Sequence, residues 1–188
     1  MDAELVEAAV AHKKSQSRQL AIIIILSALG GVASLAIGYA GKLISFAPFG
    51  PVSGQILSGL HVFWLILVAV LVRNRGAATA AGGLKGIVEM LLPNHLGPFV
   101  FLMSLLEGIV IDLAFLPFKR ITPAVAFVAS GLSSASNIVV LQAFQILPST
   151  FPLVVYAGSY LVAFASGLML GGYLSIRTMG VLQQITPD

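Results

Sequence analysis

Gly76-Ala77-Ala78-Thr79-Ala80-Ala81-Gly82-Gly83-Leu84-Lys85-Gly86-Ile87-Val88-Glu89-Met90-Leu91-Leu92 is the stretch that decides how this chain is read. It is apolar enough to lie in lipid, and Pro93 ends it, yet it holds Lys85 and Glu89 four positions apart. A charge in hydrocarbon costs on the order of 3 kcal/mol even on lenient insertion scales, so ionisable groups kept there usually mark a site. Glu107 and Asp112 repeat the conflict in the next apolar run.

On either side of this stretch lie further apolar runs near the length of about 20 residues that a bilayer crossing needs. They cover residues 20–41, 52–72, 96–118, 123–147 and 151–176. Phe46-Ala47-Pro48-Phe49-Gly50-Pro51 and Pro148-Ser149-Thr150-Phe151-Pro152 read as turns, and Arg73-Asn74-Arg75 and Lys119-Arg120 close two of the runs. The expected fold is therefore an all-α integral membrane protein with six transmembrane helices. The third is the shortest, and a tilted or partly re-entrant course is open for it.

Composition agrees, with 58% apolar and 9% charged residues, against about a quarter charged in soluble domains. With 0 cysteines, disulfides and thiolate metal sites are excluded. A net charge of +3 built from so few charges gives no case for nucleic acid. Lys13, Lys14, Arg18, Arg73, Arg75, Lys119, Arg120 and Arg177 fall on one side if the chain crosses six times, while the opposite loops hold only Lys42. The positive-inside rule then puts both termini in the cytoplasm. The expected organisation is a cytoplasmic N-terminal segment (1–19), a transmembrane domain (20–177) and a cytoplasmic tail (178–188). In the first segment Leu5, Val6, Ala9 and Val10 fall near helical spacing, fitting a short interfacial helix or a disordered tail.

At 1.5 Å per residue, Gln55, Glu89, Asn94, His95, Gln142, Gln145, Tyr156, Ser159 and Tyr160 fall in the outer half, with His61, Lys85 and Asn137 near mid-depth. Four spans thus send polar groups to one layer, which reads as a pocket open to the outside. Lys85 and Glu89 form an intrahelical pair or a ligand site. Glu107 pairs with Lys85 or acts in its own right, and Asp112 is expected to pair with Arg73, Arg75 or a loop lysine. His95 is a solvated turn residue or a ligand. Trp64 packs or stacks on a heterocycle. Tyr156 and Tyr160 line a ligand or form an interfacial belt, and Gln142 bonds a ligand or a neighbouring helix. In the first span Gly30, Ser34 and Gly38 recur every four residues, as do Ala36 and Ala40, a pattern that lets helices approach closely within the bundle or at a partner subunit.

No HExxH, GxSxG or GxxxxGK[ST] occurs, so neither a metalloprotease, a hydrolase of the serine type nor ATP hydrolysis by this chain is indicated. A solute-binding transport subunit fits, with a stand-alone ion- or proton-coupled small-solute transporter as the alternative.

Ser58-Gly59-Leu60 with Phe63-Trp64, Arg73-Asn74-Arg75-Gly76-Ala77-Ala78, Ile87-Val88-Glu89-Met90-Leu91-Leu92, His95-Leu96-Gly97 and Glu107-Gly108, over the middle third of the chain, resemble the substrate-binding S components of energy-coupling factor (ECF) vitamin transporters, in their YkoE-like branch. The resemblance implies capture of a small water-soluble vitamin or precursor, such as thiamine-related hydroxymethylpyrimidine, at the plasma membrane of a prokaryote. It implies a transmembrane coupling subunit that meets the small-residue face Gly30, Ser34, Ala36, Gly38 and Ala40, and two ATPase subunits that use ATP, with no cofactor bound by this chain. It casts Glu89, Trp64, Asn94, His95, Gln142, Tyr156, Tyr160, Gln55 and Lys85 as substrate-binding residues and 46–51 as a lid. Gly82 stands where a further acid is usual and Lys85 where a small residue is usual, which would favour a ligand of more negative character.

Overall fold

In the computed structural model, residues 2–185 are described, and among them every regular element is helical. Helix α1 is Asp2–Ile44, α2 is Pro51–Val72, α3 is Ala77–Leu91, α4 is Phe99–Phe115 and α5 is Pro123–Ala143. The last helix, α6, spans residues 153–185, with a π-helical stretch at Gly167–Tyr173.

Local chemistry sets most of the boundaries. Arg73 closes α2 in the left-handed conformation (φ 54°), and Gly76, at φ 84°, opens α3. Such positive φ is cheap for glycine and common at helix ends. Thr122 caps α5, its hydroxyl accepting from the Val125 N–H at 3.3 Å, with Pro123 behind it at a position where no N–H is needed.

Among the described residues, four helices are long and apolar enough to cross a membrane: α1 from Lys13, α2, α5 and α6 to Leu182. Helices α3 and α4, of 15 and 17 residues, reach only about 22 and 25 Å, short of the roughly 30 Å hydrocarbon core. The remaining boundaries differ from expectation at two places. The N-terminal segment is neither a separate interfacial helix nor a tail but the first part of one continuous α1; the face formed by Leu5, Val6, Ala9 and Val10 lies outside the described side chains. At the other end, α6 continues through the expected tail as far as Ile185.

Helix α2 is the centre of the bundle. Val62, Leu65, Ile66 and Val68 are wholly buried, and α1, α3, α4, α5 and α6 all pack against it. The two short helices form the tightest pair. A Cβ at Gly82 would run into the Ser104 carbonyl, and one at Gly108 into the Ala78 carbonyl. Glycine is needed at both points because the α3 and α4 backbones touch there, and this close approach brings Lys85 and Glu89 against α4.

Candidate functional site

One end of the bundle gathers the C-termini of α1, α3 and α5 and the N-termini of α2, α4 and α6. A cavity of about 510 Å³ opens there, walled by α1 to α5 and by the 45–51, 92–98 and 144–152 connections. Its depth is set by charged residues, and its mouth by Lys42, Phe46 and His95.

The floor is a network centred on Lys85, which is 1% exposed. Its Nζ lies 2.9 Å from Glu89 Oε1 on the same helix, 3.4 Å from Glu107 Oε2 on α4, and donates to Ser104 Oγ at 2.7 Å. Ser104 in turn donates to Glu89 Oε2. Asn137 of α5 donates its Nδ2 to Glu107 Oε1 at 2.6 Å, and Ser133 donates to the Glu107 carbonyl at 3.0 Å. Asn137 Oδ1 is buried and has no partner among the described residues. From α2, His61 Nδ1 sits 2.9 Å from Ser34 Oγ and 3.9 Å from Glu89 Oε1. Two carboxylates face one ammonium, so the cluster carries a formal charge of minus one. An ammonium has three N–H donors, and Lys85 has three acceptors around it.

Of the residues singled out from the sequence, Glu89, Lys85, Gln55, Asn94 and His95 line this cavity. Asn94 is largely occupied in ending α3. Its Nδ2 donates to the Glu89 and Leu92 carbonyls at 2.8 and 3.2 Å, and its Oδ1 accepts from the Leu96 N–H at 3.0 Å. His95, exposed at the mouth, tilts against the Tyr39 ring at a centroid distance of 5.9 Å. Burial and then the Lys42 charge hold its imidazole below the ordinary protonation range.

The other four lie away from the cavity. The Trp64 ring packs on α1 at Gly30 and edge-on to Phe63. Tyr160 donates to Gln142 Oε1 at 2.8 Å, tying α6 to α5, while the Tyr156 hydroxyl donates to the Pro148 carbonyl. These polar groups have found partners in neighbouring helices and turns, as membrane-embedded polar groups commonly do.

The small-residue face of α1 also turns inward for the most part. Gly30 meets Trp64, Ser34 meets His61, and Gly38 lines the cavity; Ala40 is half-buried, and only Ala36 is on the outer face. Asp112 does not pair with Arg73, Arg75 or a loop lysine. Its Oδ2 accepts from Thr79 at the start of α3. Lys85 does not add a free positive charge to the pocket, because two acids enclose it.

Ser104 and Asn137 complete the floor and were not among the singled-out site residues. Ser104 is one turn before Glu107 and shares its face, a spacing visible in the sequence; Asn137 had only its mid-span position to mark it.

In its fold the chain is similar to a structure described as an S-component of an ECF transporter, with a TM-score of 0.79 at 21% identity, covering 89% of this chain and 85% of that one. It is 24% identical over 169 residues, 86% of this chain and 81% of the other, to a protein of Bacillus subtilis (strain 168) named as an HMP/thiamine permease protein, YkoE. Residues 18–136, well over half of the chain, match the family described as the permease component of ABC-type cobalt transport systems, and the chain belongs to that membrane transport family.

Proposed function

We propose that this chain is the substrate-binding membrane subunit of an ATP-driven importer of the ECF type, and that it captures a small water-soluble vitamin or precursor, foremost a thiamine-related hydroxymethylpyrimidine. The observation that carries this reading is the buried Lys85–Glu89–Glu107 network at the bottom of a cavity open at one end of the bundle. A cavity of this size suits a single small ring compound, with apolar walls and a few convergent polar groups. The HMP/thiamine permease named above supports the substrate class, and the fold likeness supports the ECF-type architecture.

In this reading the chain crosses the plasma membrane of a prokaryote six times, α3 and α4 crossing as a tight pair despite their length. Both termini are cytoplasmic, in keeping with the distribution of basic residues, and the cavity faces outward. Transport requires a transmembrane coupling subunit and two ATPase subunits, since this chain has no phosphate-binding loop of its own. Although the family's description names cobalt, the donor set fits a divalent cation poorly. Both carboxylates are engaged by an ammonium, and among the described residues no group of three or more His, Cys, Asp or Glu is placed to hold a metal ion.

Calorimetric titration of the detergent-purified chain with hydroxymethylpyrimidine and with thiamine tests the proposal. Binding of one of them, weakened about 5- to 150-fold by Glu89→Gln as a charge-assisted bond of roughly 1–3 kcal/mol is lost, is expected. A folded protein that binds neither would overturn it.

A further inference from the structure

The hydrogen-bond polarity of the cavity floor limits the kind of molecule that fits there. Lys85 is saturated by Ser104, Glu89 and Glu107, and the Ser104 hydroxyl is committed to Glu89. Asn137 has turned its Nδ2 toward Glu107. The floor's main donors are thereby consumed within the protein. What remains are lone pairs on Glu89 and Glu107, the Oδ1 of Asn137 and a formal charge of minus one. A buried uncompensated charge is costly, so an occupant that brings N–H donors and a positive charge is favoured over a neutral or acceptor-bearing one.

We propose that a basic aminopyrimidine is held over Glu89 in its ring-protonated form, the proton being taken up from solvent as the molecule enters. This deepens the substrate assignment above and rests on it. In protonated form the amino group and the adjacent ring N–H present two donors side by side, matching a carboxylate edge.

The groups facing this position can be named helix by helix. Helix α1 supplies Ser34 and, at the mouth, Lys42; α2 supplies His61; α3 supplies Lys85 and Glu89, with His95 in the following connection. Helix α4 supplies Glu107, α5 only the uncharged Asn137, and among the described residues α6 contributes no charged group to the lining. Among the described residues, the other basic side chain within 4 Å of the Glu89 carboxylate is His61, at 3.9 Å.

The test uses ring-¹⁵N-labelled 4-amino-5-hydroxymethyl-2-methylpyrimidine and the full chain in detergent at pH 7.5. The bound ring nitrogen is expected at the upfield position of the protonated heterocycle while the free compound stays at the neutral position. The heat of titration should vary with buffer ionisation enthalpy as for roughly one proton taken up per molecule bound. Glu107→Gln, which removes the excess negative charge, should return both signals toward the neutral case. Should that variant not fold, the unaltered protein is titrated with 5-hydroxymethyl-2-methylpyrimidine, whose ring is less basic, and at least about tenfold weaker binding is expected from loss of a charged hydrogen bond. Binding with a neutral-ring resonance overturns this inference and leaves the substrate assignment standing, whether or not a proton is taken up by the protein. Absence of binding by a folded protein overturns both.

Discussion

Asp112 of α4 accepts two hydrogen bonds from Thr79 of α3, from the backbone N–H at 2.8 Å and the hydroxyl at 2.6 Å. Thr79 lies in the first turn of its helix, where N–H groups have no partner within the helix and the dipole favours a negative charge. Asp112 therefore caps α3 from a neighbouring helix. This anchors the lower end of the α3–α4 pair, just below the backbone contacts at Gly82 and Gly108, while Lys85 and Glu107 join the pair higher up. Asp112→Ala removes a charge-assisted cap, and a stability loss of about 1–3 kcal/mol is expected, with Asp112→Asn losing less. Thermal unfolding in detergent, followed by circular dichroism, measures it. Equal stability of Asp112→Ala and the parent would show that α3 needs no such cap.

Lys85→Met leaves two carboxylates facing each other in the interior without their cation. Removing one partner of a buried ion pair typically costs about 3–5 kcal/mol, and Lys85 and Glu107 are each 1% exposed. The variant should fold poorly or unfold well below the parent. Adding Glu107→Gln removes one of the orphaned charges, so the double variant should recover part of the loss; a double-mutant cycle measures the coupling. Strictly additive losses would mean that the two residues do not stabilise one another.

Tyr160→Phe separates a packing role from a ligand role. The Tyr160 hydroxyl donates to Gln142 between two helices and does not reach the cavity. A stability loss of about 0.5–1.5 kcal/mol is expected for a hydrogen bond of this kind, with affinity for the pyrimidine unchanged. Lost affinity at undiminished stability would instead put Tyr160 in the binding site.

The contrast between Tyr160 and Glu89 shows what the sequence carries and what it does not. Apolar run length and charge in an apolar run are properties of the chain alone, so the helices and the Lys85, Glu89 and Glu107 cluster are legible before any coordinates. Depth along a helix is also legible, which is why Asn94, His95 and Gln55 are found at one end. Rotation about the helix axis is not. Gly30, Ser34 and Gly38 repeat every four residues whether they face a partner or, as here, Trp64, His61 and the cavity. Gln142, Tyr156 and Tyr160 sit at suitable depth but turn toward each other or toward the Pro148 turn. The shared cap between Asp112 and Thr79 depends on where α3 begins relative to α4, which a glycine contact settles and no local pattern announces.

His95, exposed at the mouth but partly desolvated there, should make the fold sensitive to mild acid. Burial first, then the charges of Lys42 and His61, hold its imidazole below the ordinary value of about 6.5 in the folded state. Between the two values the unfolded chain binds a proton that the folded protein does not, so stability falls as pH falls. The contribution is fully present above about pH 6.5 and is lost progressively below it. Melting temperature in detergent is expected to be level from about pH 8 to 7 and to decline from about 6.5 toward 5, and His95→Gln should remove part of that decline. Lys42→Gln, which takes away the nearby positive charge, brings the folded-state value back toward the ordinary one and should make the decline shallower, with its onset still near pH 6.5. Parallel pH profiles for the parent, His95→Gln and Lys42→Gln would assign the acid sensitivity to other groups.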